Sequence, residues 1–181
     1  MALAILLAAM LATRLPIFAG FLHVQDASWA VFFLAGFYLR ELWRWAFPTF
    51  IGTAVAIDLV AIGWMGVPNY CLTVAYWFVV PGYGSLWLGG AWLAARATPD
   101  LFGAGCGLAA LLMSASLCFF ITNASFFWIG ERVTAPTWEA WVANFTHWYW
   151  PFVRTTVAYA GVALLVHLGL SAQARRRLAK Q

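Results

Sequence analysis

Apolar residues run along this chain in long, nearly unbroken stretches, joined by short segments that carry the charges, prolines and glycines. The runs are continuous where a membrane-spanning strand would alternate, so the pattern predicts helices and not a β-barrel. A spanning helix takes about 20 residues. On that measure the first span covers 2–20, with Arg14 and Pro16 near its far end. Residues 1–13 lack the basic start of a secretory signal, and the chain stays apolar beyond Arg14. The second span covers 28–43 and the third 46–65, divided by Arg40, Glu41 and Arg44. Gly63, Gly66, Pro68 and Asn69 supply the next turn. The fourth span covers 70–95, where Pro81, Gly82 and Gly84 should kink or locally unwind it. The fifth covers 101–128, and the sixth covers 150–172 after a Trp- and Tyr-rich connection over 129–149.

Composition agrees with this pattern. Of 181 residues, 65% are hydrophobic and 9% charged, and the mean hydropathy is +0.84. A soluble domain has about 25% charged residues, so a water-exposed globule is excluded. Six spans leave no room for a soluble domain beside them. The expected fold is an all-α polytopic membrane protein: one six-helix transmembrane domain over 1–174 and a basic tail over 175–181.

The net charge of +4 comes largely from that tail, where Arg175, Arg176, Arg177 and Lys180 suit anionic lipid headgroups and give no reason to invoke nucleic acid. Six spans put both termini on one side. The positive-inside rule makes that side the cytoplasm, because Arg40, Arg44 and Arg96 join the tail there. The outer face then collects His23, Gln25 and Asp26, the turn Pro68-Asn69-Tyr70-Cys71, and the 129–149 connection with Glu131, Arg132, Glu139 and His147.

Asp58 lies about 12 Å inside the membrane from the outer end of the third span, at 1.5 Å per residue. A carboxylate at that depth costs about 2.5–3.5 kcal/mol to insert and faces the bundle interior with a partner. It serves either a ligand or an interhelical hydrogen bond. Arg154, just inside the sixth span, is the candidate partner; its alternative is to snorkel to the headgroups. Cys71 opens the fourth span at the outer surface, where unpaired backbone N–H groups favour a thiolate, a soft metal ligand and nucleophile. Apolar filler is the other reading of that cysteine, and the one taken for Cys106 and Cys118. No C-x-x-C pair points to a disulfide relay. His23, His147 and His167 fall at depths unsuited to paired haem ligation. The aromatics Trp138, Trp141, Trp148, Tyr149 and Trp150 suit either an interfacial belt or a lid over a large flat ligand. Ala4, Ala8 and Ala12 form a small-residue stripe that permits close helix approach.

Six short spans, Asp58 in the third, Cys71 thirteen residues on, Tyr76 five further, His23 after the first span and Arg154 in the sixth resemble the BtuM-type cobalamin transporters. These are small bacterial inner-membrane proteins related to the S components of energy-coupling-factor (ECF) transporters. The resemblance implies an S-component-like bundle with a periplasm-facing corrinoid pocket. It implies that the Cys71 thiolate is the axial ligand of cobalt and strips cyanide from cyanocobalamin. It also implies that His23, Asp58, Tyr76 and Arg154 line the pocket. No G-x-x-x-x-G-K-[ST] motif is present, so an ECF energising module or a gradient would supply any energy. Two readings stand beside this one: an S component for another vitamin that works with an ATP-driven module, and a membrane enzyme using Asp58 or Cys71.

Overall fold

A proline ends the first helix of this chain, and a threonine hydroxyl caps the start of the last. The computed structural model describes residues 1–22, 25–69, 72–96, 98, 101–131 and 133–178. His23, Cys71 and Arg132 lie outside the described residues, as do 179–181 of the basic tail.

The first helix, α1, covers Ala2–Arg14 and stops at Leu15, which is extended at φ −69° and ψ 122°. Proline disfavours the helical conformation in the residue before it, and Pro16 instead opens the short helix α2 over Pro16–Leu22. The expected 2–20 span is therefore broken. Helix α3 covers Ser28–Leu39, a 3-10 turn follows over Arg40–Leu42, and α4 covers Trp43–Trp64. The charged cluster that divides the second and third spans in the sequence is a tight turn within a continuous helical run.

Ahead of Pro81 the chain makes a 3-10 turn over Val74–Phe78, and α5 begins at Val79 and ends at Ala94. Pro81 is the third residue of α5, where the N–H it lacks would have had no intrahelical partner. The unwinding expected around Pro81 thus lies before the proline. Helix α6 covers Leu101–Trp128, the same bounds as the predicted fifth span.

The largest departure is α7, which covers Trp138–Leu178. The 129–149 connection is helical from Trp138 onward. Thr137 Oγ1 accepts the Ala140 N–H at 3.2 Å and Glu139 lies in the first turn, a polar start that hydropathy does not register.

Among the described residues, three helical runs are long and apolar enough to cross a membrane: Ser28–Trp64, Phe102–Trp128 and Trp138–Gly169. The sequence pattern predicts six spans. The difference has physical causes: Pro16 shortens α1 to 13 residues, α3 and α4 form one helical run that folds back at Arg40–Leu42, so that Arg14 bonds both Ser28 and Asp58, and α5 keeps 16 residues after its 3-10 turn.

Packing centres on α5, which lies between α3 and α6. Glycines allow the approach. A Cβ on Gly36 would overlap the Trp87 carbonyl, and one on Gly90 would overlap the Phe33 carbonyl. On the other side a Cβ on Gly82 would stand 2.9 Å from Thr122 Cγ2. Phe32 fills the centre, stacked on Tyr83 at 4.2 Å and edge-on to Phe47 and Phe50 at 5.9 Å. Helix α1 packs on α3 and α4 through Leu6 and Met10, leaving Ala4 and Ala8 of the alanine stripe exposed. Helix α7 joins α6 by an aromatic seam, Phe145 against Phe119 at 4.9 Å and Trp141 against Phe120 at 6.0 Å. Trp141 and Tyr149 are therefore occupied by helix packing and do not form a loop lid.

Candidate functional site

The helix ends bring the polar residues of this apolar chain together. Asp58 lies one and a half turns before the end of α4, on the same face as Ile51, Ala54 and Val55. Its partner is Arg14, the last residue of α1. The guanidinium meets the carboxylate with two bonds, Nε to Oδ1 at 2.9 Å and Nη2 to Oδ2 at 2.6 Å. This forked geometry is the strong form of the pair. Tyr76 Oη adds a third donor to Oδ2 at 2.7 Å. The remaining nitrogen, Arg14 Nη1, donates to Asp26 Oδ2 at 2.8 Å, Ser28 Oγ at 3.1 Å and Tyr83 Oη at 3.0 Å.

One arginine thus joins α1, the start of α3, α4 and α5. Arg14 and Asp58 are 13% and 18% exposed, whereas Asp26 is 42% exposed, so the network runs from the interior to the surface. Asp26 also accepts the Ser28 amide at 2.9 Å and the Ser28 hydroxyl at 2.6 Å, which holds it beside the N-terminus of α3. Thr13 Oγ1 accepts the Ala27 amide at 3.1 Å. Across the bundle, Tyr159 Oη donates to the Gln25 carbonyl at 2.6 Å, and the Thr155 hydroxyl bonds the Gln25 side chain. Residues 25–28 are therefore held by α1 on one side and α7 on the other.

Beside this network lies a cavity of about 360 Å³ between α4 and α5, with Ile51, Ala54, Val55 and Val80 as apolar wall and Tyr76 and Tyr83 as polar wall. A second cavity of about 500 Å³ is lined by Gly130 and Glu131. Leu72 and Thr73 line both. Glu131 has φ 57°, a left-handed conformation unusual outside glycine.

The sequence-predicted site residues divide accordingly. Asp58 and Tyr76 meet directly. His23 and Cys71 lie outside the described residues. Arg154 is exposed on α7, and the Asp58 carboxylate expected as its partner is taken by Arg14. Val153, its neighbour, is the residue of that turn facing inward, at 1% exposure. His147 lies in α7, and the His167 ring bonds the Tyr38 hydroxyl at 3.0 Å. Cys118 is buried and Cys106 half-buried, the filler role expected of them.

Sequence reasoning missed Arg14, Asp26, Ser28 and Tyr83. A signal for Arg14 was present: it is a charge in an apolar run next to a helix-ending proline, at the same end of the bundle as Asp58. Extending the first span to residue 20 concealed it.

Among the described residues, no three His, Cys, Asp or Glu side chains are grouped to hold a metal ion. Comparison with protein-family models and with curated proteins finds no match to this chain.

Proposed function

We propose that this chain is a bacterial inner-membrane transporter that binds cobalamin at the Asp58 end of the bundle, with its termini in the cytoplasm. The observation that carries this reading is Tyr76, which bonds Asp58 and lines the cavity between α4 and α5 together with Leu72 and Thr73, the two residues that follow Cys71 in the sequence. A corrinoid has a broad apolar ring fringed by amides. It needs apolar walls with a few fixed hydrogen-bonding groups; the cavity offers both, and at about 360 Å³ it takes one edge of the ring and not the whole of it. Its cobalt has axial positions that a thiolate can take. Cys71 is the axial ligand on this reading. Where cyanide is displaced, it leaves as the anion while cobalt keeps its oxidation state, so the exchange needs no reductant. His23 and Arg154 remain contacts that the sequence resemblance suggests. The six-span, S-component-like bundle belongs to the same proposal: α1, the two arms of the Ser28–Trp64 run, α5 with its 3-10 turn, α6 and α7 are its six arms.

Val55 offers a direct test, since it is half-buried and lines the cavity. Val55→Trp should fill that space. Purified wild-type protein is expected to co-elute with cyanocobalamin on gel filtration, and Val55→Trp to lose at least tenfold in binding while keeping its elution volume. Equal binding by both proteins would move the site elsewhere. Co-purification of an ATPase with no corrinoid bound would instead favour a subunit for another vitamin, docked by the exposed Ala4 and Ala8 face.

A further inference from the structure

Tyr76 and Tyr83 line the cavity between α4 and α5, and the ion pair beside it fixes what their hydroxyls can do. A carboxylate only accepts hydrogen bonds and a guanidinium only donates them. Tyr76 therefore commits its proton to Asp58 Oδ2 at 2.7 Å, and its oxygen is left as an acceptor. Tyr83 receives Arg14 Nη1 at 3.0 Å, so its own proton remains to be donated, and no acceptor takes it among the described residues. The two hydroxyls bond opposite partners of one ion pair, Tyr76 the Asp58 carboxylate and Tyr83 the Arg14 guanidinium. Thr73 also lines this cavity, and its Oγ1 is shielded from solvent with no hydrogen-bond partner among the described residues.

We propose that the Arg14–Asp58 pair sets Tyr76 as acceptor and Tyr83 as donor, and that this pair of phenols reads an uncharged carboxamide. The amide N–H donates to Tyr76 Oη and the amide carbonyl accepts from Tyr83 Oη. Arg14 is already shared by two carboxylates, Asp58 and Asp26, so it has no charge to spare for a third, and desolvating a ligand carboxylate there is costly. Arg14 is the positioning residue, since it acts through Asp58 and Tyr83. The proposal rests on the cavity assigned above as the ligand site, and it names the ligand group read there: one of the amides that fringe a corrinoid.

The test uses the full chain in detergent with two small probes, 4-fluorobenzamide and 4-fluorobenzoate, titrated by fluorine NMR. The wild type is expected to bind the amide at least tenfold more tightly than the acid. Tyr83→Phe and Tyr76→Phe are each expected to reduce that ratio by about tenfold, the equivalent of about 1.4 kcal/mol. Tyr38→Phe, which bonds His167 away from this cavity, is expected to leave it unchanged. The ratio, unlike affinity alone, does not move through a loss of folded protein, and the wild-type ratio decides even if a variant fails to fold. Equal binding of acid and amide, no binding of either, or a ratio indifferent to both tyrosines would overturn the proposal. If the amide preference holds while cyanocobalamin does not bind, the transport reading falls and this inference stands. If cyanocobalamin binds without an amide preference, the reverse is true.

Discussion

Arg14→Leu is expected to destabilise the detergent-solubilised protein by about 3–5 kcal/mol, the cost of leaving one member of a buried ion pair uncompensated. The guanidinium holds both oxygens of Asp58 and also bonds Asp26, Ser28 and Tyr83. Its removal leaves the Asp58 carboxylate, 18% exposed, with Tyr76 as its remaining donor. Arg14→Leu combined with Asp58→Leu should recover most of the loss, because a pair exchanged for apolar side chains no longer buries a charge. Asp26, at 42% exposure, regains water in either variant. Thermal unfolding of the two variants beside the wild type measures the difference. A single variant within about 1 kcal/mol of wild type, or a double variant no better than the single, would show that the pair does not join these helices.

Gly90→Ala is expected to cost at least the 1–3 kcal/mol typical of overpacking, and Gly36→Ala a similar amount. At each position the added methyl meets backbone: Phe33 carbonyl for Gly90, with the Phe37 amide nitrogen 2.9 Å away, and Trp87 carbonyl for Gly36. A flexible side chain could turn aside, whereas a helix backbone cannot. Helices α3 and α5 must separate, and Phe32, Leu86 and Trp87 then lose contacts that are now fully or nearly closed. Gly161→Ala in α7 is the control, since nothing lies within 4 Å of its added Cβ. It should be neutral or gain up to about 1 kcal/mol of helix propensity. The folded yield after purification and the unfolding temperature report both effects. Equal behaviour of Gly90→Ala and Gly161→Ala would contradict the close α3–α5 contact.

What the sequence could reveal followed the range of each signal. Helix α6 was legible to the residue, because an apolar run of full span length lies between the Pro99-Asp100 and Gly130-Glu131 punctuation. Asp58 was legible as an intramembrane carboxylate in need of a partner and Tyr76 only through the family resemblance; their bond at 2.7 Å was not foreseen. The end of α1 was readable at Pro16 but was overridden by the apolar residues that follow it. The start of α7 at Thr137-Trp138-Glu139 was likewise present as an N-terminal cap within an aromatic-rich stretch. Hydropathy averages over about twenty residues and passes over such local stops. The partner of Asp58 was of another kind. Arg14 and Asp58 lie 44 residues apart, and only the approach of α1 to α4 selects Arg14 over Arg154. Tyr83 was hidden for the same reason, since its hydroxyl gains a role only from the arginine beside it.

The absorption spectrum of the purified protein with cyanocobalamin, taken for wild type and Cys71→Ser, tests the central claim most directly. A thiolate on cobalt replaces one axial ligand and changes the corrin's visible bands. The account predicts shifted bands in the wild-type complex and the unshifted spectrum of free cyanocobalamin with Cys71→Ser. Identical spectra for the two proteins, with equal binding, would contradict it.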